Sequence, residues 1–569
     1  MRADFLTTIA TGRRWAVPKG ARSPKGPAPA AKSTDAVPIL GHVEKRASGG
    51  RLAWSTAIFS LATGLSRILG LIREIVAAYF FGTRGAINAF TVAFQIPNLI
   101  RAIVADAALS SAFVPIFTEL HEKGEPERAW RVASSLIWLL LLGLSALTAL
   151  FILLAPLIMP LFGLPAAQED LAVRLSQILF PIIVLLGISG IVVGILNSYE
   201  HFTVPALTPV FWNVAIILGL LIGVPYASSE SAELYVYAGS ILAGTVIQLL
   251  LPLPWLAGRD GRLRAVIDWR DPAVRRVFAL MLPVSLGLGL INFNALIGVF
   301  FASRYIDPEI APTAIDKAFR IYQLPQGLFS ISIATILFPT LSRFAARGAH
   351  DDLRRTMANG VRQICLLLIP SAVAMAVLAE PITRLVYERG AFGAQATDLT
   401  SEAMLWWSIS LPFQGVSLLF SRTFFSLQRP WATTALSGLN LLVNAALAAA
   451  LYGPLGIPGI VLGTVAGTVT MCLAQGWILR GELGGVEGAR TLAAALRMLL
   501  AAALLAAVSY GAWSGLDAVL GDSLAAQAVS VLCAIAAGFA IYVAAVWALR
   551  IPEARQIWRL LVSRGRAPG

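Results

Sequence analysis

Residues 66–115, SRILGLIREIVAAYFFGTRGAINAFTVAFQIPNLIRAIVADAALSSAFVP, decide the fold class, because they form two apolar stretches that carry charges in their interiors. The charged side chains that matter are Arg67, Arg73, Glu74, Arg101 and Asp106. An ionisable side chain at membrane depth is expensive, so it normally faces a water-filled cavity and marks a functional site. The excess of arginine predicts that this cavity binds an anion.

The rest of the chain is equally apolar. Of its 569 residues 57% are hydrophobic and 13% are charged, and its mean hydropathy is +0.76. Apolar segments long enough to cross a hydrocarbon core of about 30 Å recur throughout. The sequence therefore predicts an all-α polytopic membrane protein with about 14 transmembrane helices. These lie near 53–81, 86–118, 132–162, 171–198, 205–226, 233–256, 276–303, 313–342, 354–387, 400–426, 431–452, 456–479, 491–513 and 526–549.

The positive charges fall in short connections and tails. The net charge is +13, and the even-numbered connections are the basic ones, for example RDGRLRAVIDWRDPAVRR at 259–276. This asymmetry predicts a multi-pass protein of the cytoplasmic membrane with both termini in the cytoplasm and with membrane lipids, not nucleic acid, as partners. Residues 1–50 are predicted to be a disordered basic cytoplasmic tail, and residues 550–569 a second basic tail.

An internal repeat predicts how the helices are grouped. Gln95-Ile96-Pro97 matches Gln323-Leu324-Pro325 at an offset of 228, and three further matches recur at offsets of 223 to 228. The offset corresponds to six helices, so the two halves should be related by a pseudo-twofold axis along the membrane normal.

The repeat predicts six-helix lobes at 51–257 and 276–480. The cytoplasmic linker 258–275 is either a short amphipathic helix or a solvated loop. The two helices at 491–549 lie outside the repeat.

The eighth predicted helix adds a further cation, Arg320. Pro97 and Pro325 each remove a helical hydrogen bond, and such breaks are tolerated where backbone lines a cavity. The guanidinium fork binds phosphate oxygens bidentately, so three or four arginines suit a diphosphate. Substrate-binding candidates are Arg67, Arg73, Arg101 and Arg320, although Arg67 and Arg73 can also extend to the membrane surface. Glu74 and Asp106 either balance charge or couple transport, and cavity or hinge candidates are Gly70, Pro97, Asn98 and Pro325.

Catalytic chemistry has little support in the sequence. The four histidines lie in tails or loops, no metal-ligand spacing is present, and there is no ATP-binding P-loop. An enzyme acting on polyprenyl diphosphates usually needs clustered Asp, Glu or His, and a scaffold does not explain buried charges. The sequence therefore predicts a transporter without metal or cofactor.

The quoted stretch resembles the signature region of the MurJ/MviN family, bacterial lipid II flippases of the multidrug/oligosaccharidyl-lipid/polysaccharide exporter superfamily. The segments RIYQLPQGLFSISIATILFPTLSR (320–343) and LIPSAVAMAVLAEPITRLVYERGAF (368–392) are also similar to it. The resemblance covers about residues 53–549.

The resemblance implies alternating access between two lobes, with lipid II, the undecaprenyl-diphosphate-linked disaccharide-pentapeptide, as substrate for peptidoglycan synthesis. It implies that Arg67, Arg73, Arg101 and Arg320 bind the substrate in the inner membrane and that 491–549 forms a groove for the lipid tail. The cell-wall synthesis machinery is a further candidate partner. An exporter of another polyprenyl-linked saccharide is the alternative within the superfamily. This chain has Asn88, Phe319 and Gln323 where relatives often have acids.

Overall fold

The computed structural model describes residues 44–104 and 107–555, with side chains except at 44–60, 104, 107–111, 283, 284, 288 and 291. Within these ranges all regular secondary structure is helical, which confirms the all-α class. The α-helices are α1 (Glu44–Phe81), α2 (Ile87–Val104), α3 (Ala107–Glu122), α4 (Pro126–Ile158), α5 (Ala166–Leu179), α6 (Ile182–Ser198), α7 (Thr203–Gly223), α8 (Glu230–Leu250), α9 (Pro272–Phe301), α10 (Ala311–Pro325), α11 (Ile331–Ala346), α12 (His350–Val377), α13 (Ala379–Tyr387), α14 (Ala394–Ser408), α15 (Leu411–Ser426), α16 (Pro430–Leu455), α17 (Ile457–Glu482), α18 (Gly488–Leu520) and α19 (Leu524–Ala548).

Each predicted membrane-spanning stretch coincides with one helix or a consecutive pair of helices. In the described ranges eleven helices are long and apolar enough to cross a membrane, and the bent pair α14 and α15 raises the number to twelve. The two predicted spans outside that count are α1 and the α2–α3 pair. The class is confirmed, whereas the number fourteen stays a prediction.

Only parts of the two predicted tails, 1–50 and 550–569, lie within the described residues. Residues 44–50, the end of the predicted disordered tail, belong to α1. The remainder of that tail and residues 556–569 lie outside the described residues, as does Asp106.

The apolar side chains form two cores. One draws its buried residues from Ala77 to Val299, and the other draws on Ala302 to Ile551 together with Ala78. We call the parts of the chain around these two cores the first and second lobes, and the predicted lobe boundaries stay predictions. Helix α9 packs against both, because Val277 belongs to the first core while Gly287 lies against Thr434 of α16. The pseudo-twofold relation stays a prediction.

Pro97 and Pro325, the two prolines selected in the sequence, differ in their effect on the helices that contain them. Helix α10 ends at Pro325 and continues into a π-helical turn, Gln326–Ser330, before α11 begins. Single π turns inside helices are frequent at functional sites. Pro97, by contrast, lies inside the continuous helix α2. The eighth span therefore stays helical from Ala311 to Ala346, but its geometry changes to a π turn directly after Pro325.

The linker between the lobes is a loop up to Pro272, so the amphipathic-helix alternative is not present there. Its backbone is fastened to α4: the Trp138 indole donates to the Arg264 carbonyl at 3.1 Å, and Ser135 Oγ accepts from Asp268 N at 3.1 Å. Burial would raise the pKa of Asp260, but hydrogen bonds from Tyr199, Trp130 and His121 outweigh burial and hold that pKa below its usual range.

The helix pair α18–α19 is attached to the second lobe by a buried ion cluster. Arg362 of α12, 5% exposed, donates from Nη1 to Glu487 Oε2 at 3.0 Å and from Nε to Glu553. Tyr542 of α19 also donates to the Leu366 carbonyl at 2.9 Å. The two ion pairs lie where α18 begins and just after α19 ends, and the Tyr542 contact lies within α19.

Candidate functional site

A charged cavity of about 450 Å³ lies between the first lobe and helix α10 of the second. Its charged lining residues are Arg73, Glu74, Arg101, Asp316, Lys317 and Arg320. Four cations and two carboxylates leave two positive charges in excess. The cavity therefore has the sign that the sequence predicted.

Glu74 lies at the centre of this charge cluster and is 6% exposed. Its Oε1 accepts from Arg73 Nη2 at 2.6 Å and lies 3.8 Å from Arg320 Nε. Its Oε2 accepts from Lys317 Nζ at 2.7 Å. Because Arg73 and Glu74 come from α1 and the other two from α10, the cluster joins the two lobes.

Arg73 is positioned by the seventh helix. Its Nη1 donates to Asn213 Oδ1 at 3.2 Å, and its guanidinium lies 4.7 Å from the centre of the Trp212 ring. Its Nε is buried without a hydrogen-bond partner among the described atoms. A Cβ on Gly70, one turn earlier, would lie 3.9 Å from Asn213 Oδ1, so α1 runs close to α7 here.

Arg101 lies on the cavity wall and is oriented by its own helix. Its Nε and Nη2 both donate to Asn98 Oδ1, at 3.2 and 2.9 Å. Pro97 is buried just before Asn98. Asn98 thus holds the Arg101 guanidinium in a fixed direction, because two N–H groups of the guanidinium share the Asn98 Oδ1 acceptor.

Arg67 is exposed and is not among the residues lining the cavity. Its guanidinium lies against Gly327, in the π-helical turn that follows Pro325. The structure thus brings Arg73, Arg101, Glu74 and Arg320 to one cavity and places Arg67 beside the π-helical turn.

Four site residues were missed in the sequence: Asp316, Lys317, Trp212 and Asn213. Asp316 accepts from Arg320 at 3.2 and 3.4 Å through its two oxygens. A signal existed for this pair, because residues four apart share a helix face. Trp212 and Asn213 gave no signal, since their relation to Arg73 depends on the packing of distant helices.

One end of the cavity is closed by contacts between the lobes. The buried Asn88 amide donates to the carbonyls of Thr83 and Glu309, and its Oδ1 accepts from Thr313 N at 3.1 Å. The Thr91 and Thr313 hydroxyls are 2.9 Å apart. We call this interlobe set the Asn88 gate.

A second backbone contact lies at the same end. Ala391 N donates to the Tyr79 carbonyl at 2.9 Å. Gly82 and Gly390 have φ of +60° and +59°, and a Cβ on either would overlap the opposite segment, at the Ala391 or the Tyr79 carbonyl. Glycine is required here by both conformation and close approach.

Asn88→Leu is expected to open this end, because several backbone groups lose a buried partner and each such loss is worth about 1–3 kcal/mol. The measurement is labelling of Phe94→Cys in the cavity by a membrane-impermeant maleimide, in a chain without other cysteines. Labelling from the gate side should rise several-fold over the parent. Equal labelling would show that the Asn88 gate does not close the cavity.

A smaller cavity of about 150 Å³ adjoins the first and shares Gln95 and Asp316 with it. Its remaining lining includes amides, hydroxyls and the rings of Phe319 and Trp407. Beside it, Asn294 donates to Asn440 Oδ1 at 3.0 Å and accepts from Asn444. These amides are satisfied by one another and connect α9 with α16.

The fold and cavity define a polytopic helical transporter with a cationic central site. The sequence model of the family described as lipid II flippase MurJ matches residues 77–547. The chain belongs to this family of flippases, which are transporters and not enzymes.

Individual relatives agree with this assignment. The chain is 31% identical to the probable lipid II flippase MurJ of Rhizobium meliloti, over 85% of this chain and 91% of the relative. A protein of the same description from Bdellovibrio bacteriovorus is also 31% identical, over 85% and 93% of the two chains.

Solved structures show the same fold. A lipid II flippase MurJ in an inward closed conformation aligns with a TM-score of 0.70 and 23% identity, covering 87% of this chain and 99% of that one. An inward-facing multidrug MATE transporter of the MOP superfamily aligns with a TM-score of 0.62 and 14% identity, covering 76% and 95%.

Proposed function

We propose that this chain carries lipid II from the cytoplasmic to the periplasmic leaflet of the bacterial inner membrane by alternating access. The observation that carries the proposal is the interlobe cavity with two positive charges in excess. A diphosphate that joins a lipid to a sugar has two negative charges, so it would neutralise this excess. A cationic drug would be repelled from the same cavity.

The arginines are the proposed ligands of the diphosphate. Arg73 and Arg320 approach it from opposite lobes, and Arg101 from α2. The unpartnered Nε of Arg73 supports this role, because a buried donor without an acceptor is unfavourable until a ligand supplies one. Arg67 is the fourth proposed ligand, beside the π-helical turn after Pro325. Asp106 is proposed, with Glu74, to balance or couple these charges.

The other parts of the substrate are assigned by what surrounds the cavity. The adjoining smaller cavity combines amides and hydroxyls with aliphatic and aromatic side chains, which supports contact with the sugar next to the diphosphate. The pair α18–α19 exposes large apolar side chains such as Leu496 and Leu500, which supports a lipid-tail groove at 491–549.

The orientation follows from the charge of the connections. The Asn88 gate involves the first and seventh connections, which the sequence predicts to be periplasmic, so the gate closes the periplasmic end. Both termini are then cytoplasmic, and lipid II enters from the cytoplasmic leaflet. The cell-wall synthesis machinery that consumes lipid II is a proposed partner.

The test is complementation of a bacterium depleted of its own lipid II flippase, with surface accessibility of lipid II as readout. The wild-type chain should restore growth and accessibility, whereas Arg101→Ala should not, because it removes a two-pronged phosphate donor. Arg174→Ala, exposed in the same lobe, is the matched control. Membrane levels of all variants are compared.

Failure of the well-expressed wild type in this assay and in liposomes containing lipid II would contradict the proposal. It would favour another polyprenyl-diphosphate-linked saccharide as substrate, which the same liposome assay can test directly. Rescue by Arg101→Ala would keep the transporter but remove Arg101 from the site.

A further inference from the structure

Lys317 is a buried cation in the cavity wall that the proposed diphosphate contacts leave unexplained. It is 5% exposed and belongs to α10, the helix that carries Asp316 and Arg320. Its Nζ is 2.7 Å from Glu74 Oε2 and 5.8 Å from the centre of the Tyr387 ring. The ammonium is therefore held between one carboxylate and one aromatic face.

Glu74 is shared between Lys317 and two proposed substrate ligands. Its Oε2 contacts Lys317, while its Oε1 contacts Arg73 at 2.6 Å and lies 3.8 Å from Arg320. Arg320 also pairs with Asp316. Both arginines are thus engaged by carboxylates in this structure, and a diphosphate must compete with those carboxylates to bind.

When the diphosphate displaces Glu74 from the two arginines, Glu74 needs another cation as a partner. If Arg73 and Arg320 turn to the diphosphate, Glu74 stays buried, and a buried carboxylate without a partner is strongly unfavourable. Lys317 is the cation that can remain, because its contact uses the other carboxylate oxygen. A compact ammonium suits a single oxygen, whereas the arginine forks suit two phosphate oxygens.

We propose that Lys317 is a positioning residue of this substrate site. It neutralises and holds Glu74, so that Arg73 and Arg320 can exchange from that carboxylate to the diphosphate of the substrate. The inference rests on the proposed function, because it requires a diphosphate ligand in this cavity.

The test compares binding of lipid II to the full-length protein in lipid nanodiscs. Lys317→Gln should weaken binding about tenfold or more, because Glu74 then keeps both arginines. The double variant Lys317→Gln/Glu74→Gln should bind within about threefold of the wild type, since no carboxylate competes at this position. Lys123→Gln, exposed and outside the cavity, is the matched control.

The double variant separates the proposed role from two others. Unchanged binding by Lys317→Gln overturns the inference. A loss that the double variant does not restore also overturns it, because it would make Lys317 a direct ligand or a packing residue.

Separate controls test whether each variant folds and whether the wild-type protein binds lipid II at all. Thermal unfolding identifies variants that fail to fold; if Lys317→Gln is one, Lys317→Arg is used. Lys317→Arg keeps the charge and should retain binding, and a tenfold loss by it overturns the inference. If neither the wild type nor Lys123→Gln binds lipid II, the proposed function fails and this inference fails with it.

Discussion

Arg320→Ala is expected to abolish transport of lipid II in reconstituted liposomes and to weaken its binding about 10- to 100-fold. The side chain supplies the second lobe's guanidinium to the cavity and lies within reach of two carboxylates. Its removal takes away a bidentate phosphate donor and one of the two excess positive charges. Transport is measured with a fluorescent lipid II analogue whose outward movement exposes it to a quencher.

Two further variants make the Arg320 result specific. Arg320→Lys keeps the charge but loses the fork, so its binding should fall between those of the wild type and the alanine variant. Arg347→Ala removes an exposed arginine from the turn after α11 and should transport normally. Transport at the wild-type rate by Arg320→Ala would show that Arg73 and Arg320 do not bind the diphosphate together.

Arg362→Met is expected to lower the free energy of unfolding by about 3–5 kcal/mol, because it leaves the buried carboxylate of Glu553 without its cation and removes one of the two cations near the half-buried Glu487. Glu553 is 2% exposed, and its Oε2 already lacks a hydrogen-bond partner among the described atoms. The cluster joins α12 to both ends of the α18–α19 pair, so that pair should detach first. Thermal unfolding of the protein in detergent measures the loss of stability. Limited proteolysis near residue 487 detects detachment of the helix pair.

A charge-neutral version of the same cluster provides the control for Arg362. The triple variant Arg362→Met/Glu487→Gln/Glu553→Gln removes the unpaired charges and should recover part of the lost stability. Arg497→Met changes an exposed arginine of α18 and should be neutral. If Arg362→Met unfolds at the wild-type temperature, the cluster does not fasten the helix pair.

The helices could be predicted because their signals are local. A stretch of about 20 apolar residues must be helical in a membrane, since every backbone polar group has to be satisfied within the segment. For this reason each predicted span falls on α-helix. The irregular turn after Pro325 was predictable in the same way, because proline removes a hydrogen bond from its own turn. Pro97 shows the limit, since α2 continues through it.

The cavity could be predicted in part. Charges within apolar helices marked Arg73, Glu74, Arg101 and Arg320, because membrane depth makes each of them costly. Lys317 carried the same cost but was missed, because it lies in the middle of α10 next to Asp316 and no local pattern distinguishes a buried lysine there from a solvated one. Only packing showed that it is buried against Glu74, 243 residues away in sequence.

The sequence by itself determined the helical membrane class, the irregular turn at Pro325 in the eighth span and the cationic character of the site. These depend on composition and on spacing along single helices. The tertiary structure alone decided which charges meet: Glu74 with Lys317, Arg73 with Asn213 and Trp212, and Asn88 with Thr313. The physical reason is that an ion pair or hydrogen bond between distant helices depends on helix rotation and depth, which no local pattern specifies.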